Sequence, residues 1–264
     1  MGRFSAILWR QIRHWERPAQ IAFGLVLVLL IPILSMILWG PMALRQPALI
    51  GLIGLIIMGQ VIFMWANRGM LTPYAQAQKL YLAEEFEAVC RLLENIRVSG
   101  QADVRALTLL GNAYRQRGLL DRSEQVLLEA LNMNADHYFP LYGFGRTLLV
   151  QGRYADAASA IEQALEQGGP AVVGLDAAEA YFRNGQPAEA RRLIEAALPV
   201  EDSYRQLMGQ FLLYRLDAAG RPEYDVIVAG LPYWQAQAER YRDTPYGRAL
   251  ADDVRVMAIL AEEA

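Results

Sequence analysis

Residues 104–137 read VRALTLLGNAYRQRGLLDRSEQVLLEALNMNADH. Leu107, Leu110, Gly111 and Tyr114 stand at i, i+3, i+4 and i+7, so one face of a helix alternates bulk with a glycine notch. Gly118 falls where that helix must stop, because glycine takes a positive φ at little cost. Arg117-Gly118-Leu119-Leu120-Asp121 is then a tight turn. A second helix, from Arg122 to Asn132, follows and carries Ser123, Leu127 and Ala130. Small residues beside large ones let the two helices approach closely, and the stretch reads as a helical hairpin.

The hairpin recurs. Gly111, Tyr114, Gly118, Leu127 and Ala130 reappear 34 positions on as Gly145, Leu148, Gly152, Ile161 and Ala164, and 33 further on as Ala178, Tyr181, Gly185, Ile194 and Ala197. The period and the small/large pattern resemble the tetratricopeptide repeat, a helix-turn-helix unit of about 34 residues. The resemblance implies an α-solenoid with copies at 70–103, 104–137, 138–170 and 171–204. An irregular 205–238 keeps Gly220 but replaces the small residue by Asp225. The first copy aligns through Ala77, Leu80, Phe86, Val89, Leu93 and Ile96. A capping helix is predicted in 239–264, with Leu250, Val254, Met257 and Leu260 or Ala261 on one face. Weaker end copies are expected of a solenoid, whose terminal units face water or another domain.

Residues 19–39 and 48–66 contain no charged side chain. At 1.5 Å per residue, about 20 residues cross a hydrocarbon core roughly 30 Å thick, so both segments are predicted to span. Pro32 is tolerated in a membrane helix that a neighbour covers, and the neighbour is close, because only Gly40 to Pro47 separates the spans. The first apolar run exceeds that of a signal peptide, and a second span follows at once. Gly51 and Gly59, with Gly54 beside them, offer a smooth side for helix packing. The expected fold is therefore all-α: an N-terminal transmembrane helical hairpin (19–66) followed by a tetratricopeptide-like α-solenoid of about four to five helix pairs over 70–238.

Arginines set the orientation. Arg3, Arg10, Arg13 and Arg17 precede the first span, Arg45 alone lies between the spans, and Arg68 and Lys79 follow the second. Positive-inside bias places both ends in the cytoplasm, which for a bacterial inner-membrane protein puts the repeats on the cytoplasmic side. In 1–18, Phe4, Ile7, Leu8, Ile12 and Trp15 share one helical arc, and the four arginines share another. That pattern predicts an amphipathic interfacial helix against anionic lipid headgroups.

Residues 1–69 carry six arginines and one glutamate, leaving 19 basic and 27 acidic residues for the rest. An acidic body argues against nucleic acid as a partner, since phosphate binding needs a basic face. Catalytic chemistry finds little support. His14 and His137 have no metal-ligand partner at helical spacing. Cys90 stands in the apolar run Phe86, Val89, Leu93 with no nearby histidine, as a buried reduced thiol would. Gly143-x-Gly145 lies inside a repeat helix and makes no phosphate loop. No enzyme activity, metal, cofactor or small-molecule substrate is expected.

What remains is protein binding. In the resembling family the first helix of each pair lines a groove that holds a partner peptide. The matching columns are Tyr74, Gln78 and Tyr81; Thr108, Asn112 and Arg115; Tyr142 and Arg146; and Glu179, Phe182 and Arg183. Aromatics and arginines are frequent interface anchors. Of the paired Lys and Asn residues with which one subfamily clamps a C-terminal carboxylate, only Asn112 is present. The resemblance and the spans together imply a membrane-anchored scaffold that presents its repeats to a partner protein, as in the assembly of a membrane complex. The alternative is a permanent accessory subunit of a large respiratory, photosynthetic or secretory membrane complex.

Overall fold

The computed structural model describes residue 15, residues 17–67 and residues 72–263. The described chain is all-helical and divides into two compact units, Met1–Thr72 and Pro73–Ala264.

The first unit holds α1 (Arg17–Trp39) and α2 (Met42–Asn67), packed on each other. The connection is shorter than the expected Gly40 to Pro47. Met42 to Gln46 are helix formers, so α2 starts at Met42 and takes Pro47 inside it. A methyl group added at Gly51 would meet Ile33 Cδ1 at 3.7 Å, and one at Gly59 would meet Val26 Cγ1 at 3.4 Å. Both glycines face α1. Gly54 has nothing within 4 Å; helical register puts it to one side of the stripe Ala48, Gly51, Leu55, Gly59, so of the three predicted packing glycines it alone faces away. Trp15 is buried with its ring 5.4 Å from both Phe23 and Phe63. Elsewhere the surface is apolar and open, with Ile21, Val28, Ile31, Ile50, Ile57 and Met64 all more than half exposed. Each helix is long and apolar enough to cross a membrane. The predicted amphipathic helix lies outside the described residues apart from Trp15 and Arg17, and so do Arg3, Arg10 and Arg13. Arg17 is exposed at the start of α1.

The second unit is built from helix pairs: α3 (Pro73–Leu82) with α4 (Phe86–Val98), α5 (Val104–Gln116) with α6 (Leu120–Met133), α7 (Tyr138–Gln151) with α8 (Tyr154–Glu166), and α9 (Gly174–Arg183) with α10 (Pro187–Ala197). Then come α11 (Ser203–Arg215), α12 (Tyr224–Arg240) and α13 (Pro245–Glu262). Local signals start several of them. Asp103 accepts from Ala106 N–H at 2.8 Å, His137 Nδ1 from Phe139 N–H at 3.1 Å, and Thr244 Oγ1 from Gly247 N–H at 3.0 Å with Pro245 beginning α13. Each first helix ends in a left-handed residue: Glu84, Gly118, Gly152, Gly185 and Asp217, at φ 59°, 72°, 84°, 72° and 52°. They lie 34, 34, 33 and 32 residues apart, so the backbone repeats even where the glycine does not.

The pairs interlock as the small/large pattern requires. A Cβ at Gly111 would lie 2.5 Å from Leu127 Cγ, and one at Gly145 would sit 3.1 Å from the Ile161 nitrogen and 3.2 Å from the Ala157 oxygen. Ser123 donates or shares hydrogen bonds with Gly111 O and Thr147 Oγ1, both at 2.8 Å, tying the second pair to the third. Leu110, Leu127, Leu148, Ile161, Ala178 and Ile194 are fully buried.

The end of the unit departs from the repeat. In the first four pairs the second helix starts two residues after the left-handed one; α12 starts seven after Asp217. The five extra residues, Ala218 to Pro222, free α12 from the usual course. The apolar face predicted for the last helix is present, with Leu250, Met257 and Leu260 buried. That face does not only cap the end: α13 packs on α12 and also back on α7.

Candidate functional site

The first helices of all five pairs share one inner face. Tyr81 from α3, Arg115 and Gln116 from α5, Tyr142 and Arg146 from α7, Asp176 and Glu179 from α9, and Tyr204 and Arg205 from α11 line a single cavity of about 330 Å³. Tyr233 and Trp234 of α12 line it too, so the chain's own last helices lie over this face.

Their attachment is extensive. Trp234 Nε1 donates to Tyr204 O at 2.7 Å, and a Cβ at Gly230 would lie 2.8 Å from Ser203 O, so α12 runs tight against α11. At its far end Arg240 bonds Gln116 and Glu84 (3.1 Å) and lies 5.4 Å over the Phe86 ring, while Tyr241 O–H meets Gln116 Oε1 at 3.3 Å. The chain then returns along the ends of the first helices. Pro245 abuts Gly152, Tyr246 donates to Glu179 at 3.4 Å, and Asp253 accepts from Arg183 and Arg215, each at 3.0 Å. Trp234, Tyr241, Tyr246 and Leu250 join the same apolar core as Leu148, Leu175 and Phe211.

This placement corrects the expectation of an open groove. Asn112, Arg115, Arg146 and Glu179 are only 9, 7, 7 and 1 % exposed, and Thr108 is fully buried with its hydroxyl on Val104 O at 2.7 Å. Asn112 packs on Gly143 of α7, whereas Arg115, Arg146 and Glu179 are covered because the insertion before α12 turns the last two helices onto the inner face. Tyr142 and Arg146 share Asp176: the Tyr142 hydroxyl donates to Oδ2 at 2.7 Å, and the Arg146 guanidinium pairs with Oδ1. Burial, with Asp176 alongside, pushes the Tyr142 phenol well above the usual tyrosine range. Burial works against the Arg146 charge, yet Asp176 holds its pKa well above the ordinary arginine value. Arg183 pairs with Glu179 (2.8 Å) and Asp253 rather than with solvent. Burial lifts Asp253 above the ordinary carboxylate range against the pull of Arg183 and Arg215. Phe182 lies under the Arg215 guanidinium at 5.9 Å. In the first pair Tyr74 and Tyr81 are partly buried and Gln78 is exposed.

The structure thus brings Tyr81, Arg115, Tyr142 and Arg146 to one cavity and places Phe182 and Arg183 beside α13. Sequence columns missed Asp176, Tyr204, Arg205, Tyr233 and Trp234. Asp176 had a signal, since it precedes Glu179 by three and Arg183 by seven on one helical face; Tyr233 and Trp234 had none, because only the altered course of α12 brings them in. Cys90 is buried in α4, and burial raises its thiol pKa, as suits an inert side chain.

Two family models, each described as a tetratricopeptide repeat, match the chain over residues 104–137 and 148–211. A search of curated proteins found no match. The matched segments contain α5, α6 and α8 to α10, the last turn of α7 and most of α11.

Proposed function

We propose that this chain, a member of the tetratricopeptide-repeat family, is a membrane-anchored scaffold that holds a protein partner at a bacterial inner membrane, in the assembly of a membrane complex. Repeats of this family are protein-interaction modules. The observation that carries the reading is the pairing of such a module with α1 and α2, two helices of membrane-crossing length and composition whose apolar side chains face outward instead of into a core. A core helix of a soluble protein would bury those residues. The arginine bias supports cytoplasmic placement of both ends, with Arg3, Arg10, Arg13 and Arg17 at anionic headgroups.

A second reading, the permanent subunit, is favoured by the filled groove. A transient peptide client has no open inner face across the middle repeats, whereas α1 and α2 leave a shallow apolar furrow of about 520 Å³ that includes Phe23, Leu27, Ile56 and Met64. Gly54 also stands on an open side of α2. Purification in mild detergent from native membrane, followed by quantitative mass spectrometry, tests both. Substoichiometric partners support the scaffold, and a fixed set of integral proteins at unit stoichiometry supports the subunit. Recovery of the chain alone would overturn both.

A further inference from the structure

The cavity under α12 holds a charge that the fold leaves without a counter-ion. Three guanidinium groups and two carboxylates line it. Both carboxylates are taken: Asp176 by Arg146 and Tyr142, Glu179 by Arg183. Arg205 lies 3.0 Å from Asp202. Arg115 differs. It is 93 % buried, bonds only Asn112 Oδ1 through Nη2 at 3.2 Å, and its Nε has no hydrogen-bond partner. Among the described residues it makes no ion pair. A guanidinium cannot shed its proton to escape such a site, and a buried charge with no counter-ion and a single hydrogen bond is unfavourable. An anion in the cavity would relieve it, because the planar fork accepts a two-oxygen head in register.

The rest of the lining describes the remainder of the ligand. Tyr81, Tyr142, Tyr204, Tyr233 and Trp234 present aromatic surface around the charged wall, with the Tyr204 and Tyr233 rings 4.0 Å apart. About 330 Å³ lies at the small end of ligand pockets, enough for a compact molecule and too little for a peptide segment. We propose that this cavity is a binding site for a small organic anion, a carboxylate or phosphate head seated on Arg115 with a flat apolar body among the tyrosines. The site goes beyond the scaffold reading, since it is lined by the chain's own helices and needs no protein partner.

The test uses the full-length protein in detergent micelles, with benzoate and phenyl phosphate as probes and benzamide as the neutral analogue. Benzoate or phenyl phosphate should raise the melting temperature saturably, benzamide should not, and the tighter head identifies the anion class. Arg115→Met should weaken the responding probe at least tenfold, yet melt no lower than wild type in probe-free buffer, because the substitution removes an unpaired charge and keeps the bulk. If R115M does not fold, the fluorescence of Trp234, read as wild type minus Trp234→Phe, should still change with the anionic probes alone. The proposal is overturned if neither probe shifts the wild type, if R115M responds equally, if R115M folds but melts below wild type without probe, or if the Trp234 signal ignores charge.

Discussion

At Gly145 there is no room for a side chain, since a Cβ would overlap the Ile161 side chain at Cγ1 and press on the backbone of α8 at Ile161 N and Ala157 O. The backbone cannot retreat as a flexible side chain could. Gly145→Leu should therefore destabilise the protein by about 1–3 kcal/mol or more, and an unchanged thermal melt would show that α7 and α8 are not in close contact there. Arg146 is a different case from the exposed groove residue its column suggested. Removing it leaves Asp176 buried beside Tyr142 without its cation, a loss of about 3–5 kcal/mol by analogy with other broken buried pairs. Chemical denaturation of Arg146→Ala checks this; a shift under about 1 kcal/mol would mean that Asp176 finds water or another partner.

The five residues between Asp217 and Glu223 decide where α12 and α13 go. Deleting Ala218 to Pro222 would start α12 two residues after its left-handed turn, as in the other pairs, and should send it away from the inner face. Hydrogen exchange at Leu250 and Met257 should then accelerate while α5 to α10 keep their protection; unchanged exchange at α13 would show that packing, not chain length, places the last helices. The same segment marks the limit of what the sequence could show. Leu107, Gly111, Gly118 and their echoes fixed helix pairs, turns and close contacts, because those properties are local and periodic. Even Asp217, at φ 52° without a glycine, keeps the period. The burial of Arg115 and Arg146 was not legible, because it involves helices far downstream in sequence whose apolar faces would equally suit an end cap. Tyr233 and Trp234 could not be assigned to the cavity without knowing that α12 crosses it.

For the whole molecule the proposed membrane anchoring raises the question of which side of the membrane the second unit occupies. Arg3, Arg10, Arg13 and Arg17 stand before or at the start of α1, while the far end of the helix pair offers Arg45 alone, in the first turn of α2 with its Nε directed to Gly40 O at 3.3 Å. Carrying four arginines across is disfavoured relative to carrying one, so both ends should lie in the cytoplasm. A reporter fused after Ala264 should be active there. Met42, 82 % exposed at the start of α2, is the site for the complementary measurement. Met42→Cys should react with a membrane-impermeant maleimide on cells whose outer membrane is permeabilised. Cys90 gives little background, being 4 % exposed with its thiol pKa raised by burial. Labelling of Met42→Cys only after lysis, with a silent cytoplasmic reporter, would reverse the model. Replacing Arg3, Arg10 and Arg13 by glutamine should then produce a mixed population, because the N-terminal flank (Arg17) and the opposite end of the helix pair (Arg45) would each hold a single arginine; a population still wholly of one orientation would assign the control to Arg68 and Lys79 after α2 instead.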